Sequence, residues 1–286
     1  MYPPKFDYYR AQSVSEAVSL LREHSGAEVL AGGHSLLPVM KLRLSQPGVL
    51  VDIGRIESLK GITANGDGGF RIGALTTHAE VAADERLPTA LTEAASMIGD
   101  PQVRNRGTVG GNVAHADPAS DLPTVFVALG ATFNVQGPDG ERQISAEDCF
   151  TGLFTTDMRK GEILTSVDIP AQENGTGSAY EKMFNPATRY ALVGAAASLT
   201  MDGQTCRAAH VAVGSLTPSA THARSVEEAL EGQPLDDEVI AAAAARVAGD
   251  VGDDLLGDIH ASADYRRKMA PVYVRRALMK ALSRSG

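Results

Sequence analysis

The chain has 286 residues, of which 43% are hydrophobic and 21% charged, and its formal net charge at pH 7 is -9. This acidic charge argues against a nucleic-acid partner, which would require a basic surface. The absence of an apolar run of about 18 residues argues against a membrane span. Only two cysteines, Cys149 and Cys206, are present, so the chain cannot supply four ligands for an iron–sulfur cluster.

The seven histidines form no HxxxH or HExxH pair, the spacings typical of zinc-binding helices. Any redox cofactor is therefore expected to be organic, with metal centres on a partner. The N-terminal residues lack the apolar core of a secretory signal, which predicts a cytoplasmic location.

The first part of the chain, residues 1–54, is predicted to be an α/β unit with a parallel core. A capping-box pattern at Ser13 and Glu16 is followed by apolar positions at helical spacing. The predicted elements are a helix after Ser13 that ends near Gly26, a strand over Glu28–Leu30, a helix over Leu36–Leu44 and a strand over Val49–Ile53.

The second part, residues 55–172, is predicted to contain a mixed or antiparallel sheet. Two glycine-containing turns, Asn65–Gly69 and Pro138–Gly140, lie between apolar runs and predict hairpins. The predicted strands are Leu59–Thr63, Phe70–Ala74, Ala131–Gln136, Glu141–Ile144 and Ile163–Ile169, and the predicted helices are Leu87–Ile98 and Thr124–Leu129. Residues 100–123 show no clear helix or strand pattern, and ordered loops of this length are usually functional.

A polar linker over residues 172–177 leads to the third part, residues 178–286, which is predicted to be a three-stranded antiparallel sheet with a helical bundle. The predicted strands are Ser178–Phe184, Ala191–Met201 and Thr205–Leu216, and the predicted helices are Ser225–Glu231, Leu235–Ala248 and Ser262–Leu282. Pro271 lies inside the last helix and is expected to kink or split it.

Two Gly-Gly turns are candidates for ligand binding. The first, AGGHS at residues 31–35, lies between a predicted strand and a predicted helix, where free amide groups and the helix dipole favour phosphate oxygens. The second, TVGGN at residues 108–112, lies in the long segment without a pattern. Two amide-rich turns suit a pyrophosphate, whereas a tight strand–helix connection and an ordered loop without a ligand are the alternatives. Neither a GxGxxG nor a P-loop sequence is present.

Asp121 precedes a predicted helix, so it is either a helix cap or an acceptor of ribose hydroxyl groups. His34 is predicted to be a turn residue with a hydrogen-bonded ring. The sequence supports no Ser-His-Asp or Cys-His arrangement, so no catalytic residue is predicted.

Four stretches together resemble the FAD-binding medium subunit of the molybdenum hydroxylases, the xanthine oxidase family. They are AGGHSLLPVMKLRL (31–44), DPQVRNRGTVGGN continuing into HADPASDLP (100–123), YEKMFNPATRYALVGAAASL (180–199) and YRRKMAPVYVRRAL (265–278). The resemblance covers essentially the whole chain. It implies an α+β fold, in which a two-subdomain FAD-binding unit of the PCMH type is followed by a C-terminal antiparallel sheet with helices.

The resemblance also implies which residues contact FAD. The two pyrophosphate loops would be formed by Ala31, Gly32, Gly33, His34 and Ser35, and by Thr108, Val109, Gly110, Gly111 and Asn112. Val109 would lie near the flavin. Leu75 and Thr77 would lie near the adenine half, and Asp121 would hold the adenosine side. Lys182 and Tyr190 would lie near the isoalloxazine ring, which an aromatic side chain can cover.

The implied function is electron transfer by a flavoprotein subunit. The molybdenum cofactor would reside on a large subunit and the [2Fe-2S] clusters on a small subunit, in a dimer of heterotrimers that passes electrons to a quinone or another acceptor. Peripheral membrane association of that complex is one arrangement. The implied holoenzyme is an aerobic carbon monoxide dehydrogenase, and the alternatives are a hydroxylase of a purine, nicotine-like or aromatic substrate and a stand-alone FAD oxidase of the vanillyl-alcohol type.

Overall fold

The N-terminal sheet of the computed structural model, which describes residues 1–286, is parallel and has the strand order β1–β3–β2. Its elements are β1 (Asp7–Arg10), α1 (Val14–Glu23), β2 (Glu28–Leu30), α2 (Leu36–Lys41) and β3 (Val49–Asp52). The predicted parallel pairing of β2 with β3 is confirmed. Strand β1 is not predicted by the pattern because all four of its residues are exposed. At the start of α1, Ser13 accepts the Glu16 amide, but the Glu16 carboxylate accepts the amide of Gln12.

The second sheet is antiparallel, with the order β4–β5–β10–β6–β7. Both predicted hairpins are present, since β4 pairs with β5 and β6 with β7. The elements of this region are β4 (Ile62–Ala64), β5 (Phe70–Gly73), α3 (His78–Ala83), α4 (Thr89–Met97), α5 (Pro101–Arg104), α6 (Val109–His115), α7 (Asp121–Ala128), β6 (Thr132–Gly137), β7 (Gly140–Ser145), α8 (Ala146–Cys149), β8 (Phe150–Gly152), β9 (Thr155–Thr156) and β10 (Ile163–Ile169).

The prediction that residues 100–123 lack regular structure is wrong, because α5, α6 and the start of α7 lie there. The helices α5 and α6 begin at side-chain caps, Asp100 and Thr108. Both are short, and the glycine pair in the first turn of α6 obscures its pattern. Helix α7 is buried at all eight positions, so it has no polar face from which a helical period could be recognised.

The third sheet is antiparallel and has four strands rather than the three predicted, in the order β11–β12–β13–β14. Its elements are β11 (Thr176–Phe184), β12 (Ala191–Asp202), β13 (Thr205–Gly214), β14 (Thr221–His222), α9 (Arg224–Leu230), α10 (Asp237–Ala245), α11 (Val247–Asp250) and α12 (Ala263–Leu282). Strand β14 has two residues, too few for an alternating pattern. Helix α12 continues through Pro271 without being split, and its buried side chains pack on the sheet.

The third sheet is buried on both faces. Tyr180, Ala196 and Ala212 belong to the core that includes α4 and α7, whereas Ala195 and Ala197 belong to the core that includes α9, α10 and α12. This alternation is the period of two expected for a strand. The C-terminal sheet therefore lies directly against the helices that follow the first hairpin.

The predicted α+β fold class is confirmed by this mixture of sheets and helices. The proposed boundaries near residues 54 and 172 stay a prediction. None of the helices has both the length and the apolar character that crossing a membrane requires.

Candidate functional site

The first glycine turn joins the end of β2 to the start of α2. Gly33 has a φ of +74°, a conformation that costs glycine little. The four amides from Gly32 to Ser35 donate to no acceptor within the protein, and the Ser35 hydroxyl makes no capping bond. The ring of His34 is in hydrogen-bond range of the Gly32 carbonyl oxygen, with Nδ1 at 3.2 Å, as expected for a turn residue. Four free amides at a helix start are suited to an anion.

The second glycine turn lies beside the first. A Cβ atom on Gly32 would be 2.1 Å from the carbonyl oxygen of Arg106, and one on Gly111 would be 4.0 Å from the Cβ of Ala31. Arg106, just before the second turn, and Gly111, within it, therefore lie against the first turn. The two turns converge in space, as the sequence predicts for a shared ligand.

Four of the five amides of the second turn, those of residues 109–112, are however already bonded inside the protein. Their acceptors are the carbonyl oxygens of Thr76 for Val109, Ala74 for Gly110 and Thr108 for Asn112, and the side-chain oxygen of Thr108 for Gly111. The second turn therefore leaves only the Thr108 amide free, which is fewer free donors than the sequence predicts. The glycine at position 110 instead permits close packing, because a Cβ there would be 2.6 Å from the Cβ of Ala74.

Leu75 and Thr77 lie in the segment between β5 and α3, which runs alongside the second turn. Thr77 caps α3 in a reciprocal capping box with Glu80, and an isolated antiparallel bridge pairs Thr77 with Thr108. Leu75 and Val109 are 6% and 0% exposed. Their side chains belong to hydrophobic cores, and the Val109 amide is bonded to the Thr76 carbonyl oxygen.

His78 is a buried residue of this region that the sequence analysis does not single out. It follows Thr77 at the start of α3, is 3% exposed, and its ring faces Gly107 of the second turn. Its Nδ1 atom is buried without a hydrogen-bond partner. Burial, together with the charge of nearby His34, lowers the pKa of His78 to about 4, so the ring is neutral at pH 7. The capping box at Thr77 and Glu80 is the sequence signal that could have identified its position.

Asp121 is the first residue of α7 rather than its cap, since Ser120 precedes the helix. One of its carboxylate oxygens accepts a 2.7 Å hydrogen bond from the Tyr180 hydroxyl, and the other accepts a 3.0 Å bond from Lys182 Nζ. Asp121 is 4% exposed and Lys182 7%. Burial raises the pKa of the Asp121 carboxyl, and the ammonium of Lys182 opposes that rise.

Lys182 uses all three of its donors inside the protein. Besides Asp121, Nζ donates to the carbonyl oxygens of Met97 at 3.0 Å and Arg189 at 2.8 Å. The second of these bonds fixes the turn that presents Tyr190, which is 50% exposed. Burial, and to a lesser extent the carboxylates of Asp117 and Asp121, raise the pKa of Tyr190.

The assignment of Asp121 to the adenosine side stays a prediction. In this structure its carboxylate oxygens are buried and bonded to Tyr180 and Lys182. The structure brings the predicted residues together in two groups. One is the pair of glycine turns with residues 75–77, and the other is Asp121 with Lys182 and Tyr190.

The comparisons with known proteins agree over the whole chain. Residues 4–172 match the family model described as the FAD binding domain in molybdopterin dehydrogenase, and residues 178–281 match the CO dehydrogenase flavoprotein C-terminal domain. The chain is 40% identical to the carbon monoxide dehydrogenase medium chain of Hydrogenophaga pseudoflava over 99% of both chains. It is 38% identical to the 6-hydroxypseudooxynicotine dehydrogenase complex subunit alpha of Paenarthrobacter nicotinovorans, over 100% of this chain and 97% of that one.

A solved structure leads to the same conclusion. The carbon monoxide dehydrogenase of Hydrogenophaga pseudoflava that lacks the Mo-pyranopterin moiety of its molybdenum cofactor matches with a TM-score of 0.94 and 39% identity, over 99% of both chains. The resemblance drawn from the four sequence stretches is confirmed. The chain belongs to the family of FAD-binding flavoprotein subunits of the molybdopterin dehydrogenases.

Proposed function

We propose that this flavoprotein serves an aerobic carbon monoxide dehydrogenase, in which CO and water become CO2, two protons and two electrons. The observation that carries this proposal is the full-length likeness to the medium chain of such an enzyme. The substrate is oxidised on a partner, and the chain supplies the site at which the two electrons leave the complex.

The four free amides of the first turn and the Ser35 hydroxyl are the groups we assign to the FAD pyrophosphate. They are unpaired donors at the start of α2, so they fit a diphosphate without breaking a bond in the protein. Ala31, Thr108 and Asn112 line the same convergence of turns, and Gly110 and Gly111 let the second turn approach. Leu75 and Thr77 flank the adenine half. When bound, FAD supplies two-electron redox chemistry that can also proceed in single-electron steps.

Tyr190 is the aromatic residue that we assign to the face of the isoalloxazine ring. Lys182 and Asp121 position Tyr190. Lys182 donates to the carbonyl oxygen of Arg189, the residue before Tyr190, and Asp121 holds the Lys182 ammonium in place. The raised pKa of Tyr190 keeps its hydroxyl protonated. This region therefore supplies a neutral aromatic cover for the ring, and no nucleophile or general base is needed for electron transfer.

The partners we assign are a large subunit with the molybdenum cofactor and a small subunit with [2Fe-2S] clusters, in a dimer of heterotrimers. The two cysteines of this chain are buried and unpaired, which agrees with clusters held elsewhere and with a reducing, cytoplasmic compartment. A quinone is the acceptor we assign, reached by peripheral membrane association of the complex.

A related hydroxylase is the second candidate. The 38% identity to a subunit of 6-hydroxypseudooxynicotine dehydrogenase is close to the 40% found for the carbon monoxide enzyme, and the substrate pocket lies on another subunit. A stand-alone vanillyl-alcohol-type oxidase is disfavoured, because residues 178–281 match the CO dehydrogenase flavoprotein C-terminal domain.

The native complex tests these proposals. Purified under anaerobic conditions, it is expected to contain FAD, iron and molybdenum in a fixed ratio, and CO is expected to bleach its flavin absorbance. Bleaching by 6-hydroxypseudooxynicotine but not by CO would select the second candidate. A flavin that no molybdenum-site substrate reduces would contradict both.

A further inference from the structure

A cluster of metal-binding side chains lies at the edge of the C-terminal sheet, away from both glycine turns. It consists of His210 on β13, His222 on β14 and Glu227 on α9, whose ligand atoms lie within 4.8 Å of one another. Strand pairing explains the proximity. His222 is the register partner of Ala212, and His210 lies two residues before Ala212, on the same face of β13. The imidazole ring centroids are 6.5 Å apart.

The cluster is partly withdrawn from solvent. The side chains of His222 and Glu227 are 15% and 12% exposed, and His222 Nε2 lies 2.5 Å from Glu227 Oε1. The same carboxylate oxygen accepts the Val211 amide at 2.6 Å, which fixes its position. His210 is exposed, so its ring can turn towards the other two.

A second carboxylate approaches from the other side. Glu147 on α8 has an oxygen 3.3 Å from His222 Nδ1, and that nitrogen is buried without a hydrogen-bond partner. The Arg224 guanidinium, which contacts Glu147, is the cation of the neighbourhood. Two carboxylates against one guanidinium leave one negative charge, which favours a cation here, either a proton on His222 or a metal ion in its place.

We propose that His210, His222 and Glu227 bind a divalent transition-metal ion, with Zn²⁺ the best match. Two imidazoles and one carboxylate are ligands that Zn²⁺ accepts, at about 2.0–2.2 Å each, with a fourth position open to water. At a tetrahedral angle, two ligands at those distances from one ion are about 3.4 Å apart. Separations of up to 4.8 Å therefore have to close by roughly 1 Å, which rotation of the exposed His210 side chain can supply, and the 2.5 Å contact between His222 and Glu227 has to open by a similar amount.

The ion would be structural in its effect. It would join β13, β14 and α9 at a corner where β14 has only two residues, and it would lie next to Glu147, which belongs to the region of the second sheet. The three ligands are separated by 12 and 5 positions in the sequence. This spacing differs from helical zinc motifs, so the sequence analysis predicts no metal in this chain.

Metal binding to the full-length chain tests the proposal. After treatment with a chelator, calorimetric titration with Zn²⁺ is expected to show one ion per chain, and Co²⁺ is expected to give the intense visible absorption of a four-coordinate site. His210→Gln should weaken Zn²⁺ binding at least tenfold and abolish the Co²⁺ absorption. The matched control is His260→Gln, since His260 is exposed and lies outside the cluster.

His210 is the first choice because its exposed side chain can be replaced without disturbing the core. Glu227→Gln is a second variant, and circular dichroism establishes whether it folds. The proposal fails if the wild-type chain binds no Zn²⁺ at micromolar concentration. It also fails if His210→Gln and His260→Gln bind the ion equally well.

Discussion

The buried His78 connects the chemistry of one residue to the stability of the flavin site. Its neutral form is favoured because its ring is buried between α3 and Gly107, near His34. In an unfolded chain the same imidazole has a pKa of about 6.5. Between these values the unfolded chain binds more protons than the folded chain, so folding becomes less favourable as the pH falls.

We expect His78 to make the protein less stable in mild acid. With a folded pKa of about 4, the free energy of unfolding should fall by about 2 kcal/mol between about pH 8 and about pH 5 on account of this residue. The loss begins as the pH drops below the unfolded pKa and is complete near the folded pKa. Urea unfolding at both pH values, in the wild type and in His78→Phe, measures it.

The difference between the two proteins isolates His78 from the carboxylates that also titrate in this range. On acidification, the free energy of unfolding of His78→Phe should fall by about 2 kcal/mol less than that of the wild type. Equal losses in both proteins would show that the ring is not held neutral. The single variant His34→Gln is a further control. Removing the neighbouring charge should raise the pKa of His78 and so reduce the stability that the protein loses on acidification.

Gly110, the first of the two glycines of α6, determines how closely that helix lies against the end of β5. Gly110 donates its amide to the Ala74 carbonyl oxygen at 2.8 Å. A Cβ atom would contact the backbone and side chain of Ala74 at 2.6–3.0 Å, neither of which can rotate away. The second glycine turn, which begins α6, is therefore fixed by packing.

Gly110→Ala is expected to reduce retention of FAD. The added methyl group should push α6 away from β5 and separate the two glycine turns, with overpacking that costs about 1–3 kcal/mol. The measurement is the FAD content of the purified complex, compared with Gly66→Ala, where a Cβ meets nothing within 4 Å. Wild-type flavin content in Gly110→Ala would contradict the packing argument.

Much of this arrangement can be predicted from the sequence, because it depends on local patterns. Strand Ile163–Ile169 and both hairpins follow from apolar runs and turn residues. The helices of residues 100–123 do not, since α7 is buried on every side and α6 begins with glycines. The hydrogen bonds of the second turn are also not predictable, because the acceptors at Ala74 and Thr76 are more than 30 positions away in the sequence.

Charged and polar contacts between elements that are distant in the sequence also cannot be predicted from it. The resemblance identifies Asp121 and Lys182 as site residues, but only the fold shows that they are bonded to each other. The metal-binding cluster has the same origin, because strand pairing brings together histidines whose spacing matches no motif.

The C-terminal sheet is shared by two hydrophobic cores. One face packs on α4 and α7 and the other on α9, α10 and α12. The C-terminal end of the chain is also tied to α4, because Glu93 accepts a 2.6 Å hydrogen bond from Arg284, just after α12, and lies 2.9 Å from Lys280 in α12. The FAD-binding part therefore completes its core only when the C-terminal part is folded on it.

Residues 1–172 expressed alone are expected to be poorly folded. Without the third sheet, the apolar faces of α4 and α7 are uncovered, and a large exposed apolar patch promotes aggregation. The fragment should bind the dye ANS strongly and unfold in urea without a sharp transition, whereas the full chain should do neither. A soluble monomeric fragment with a cooperative transition would show that the first two sheets are independent of the third.

The three donors of Lys182 give this shared sheet a further consequence. The ammonium, on β11, is held by groups on α4 and α7 and in turn holds the backbone beside Tyr190. Sliding the sheet against those helices would displace the phenol ring, while the glycine turns, which are anchored elsewhere, would stay in place. The contacts of Lys182 therefore couple the position of the Tyr190 ring to the alignment of the C-terminal sheet with α4 and α7.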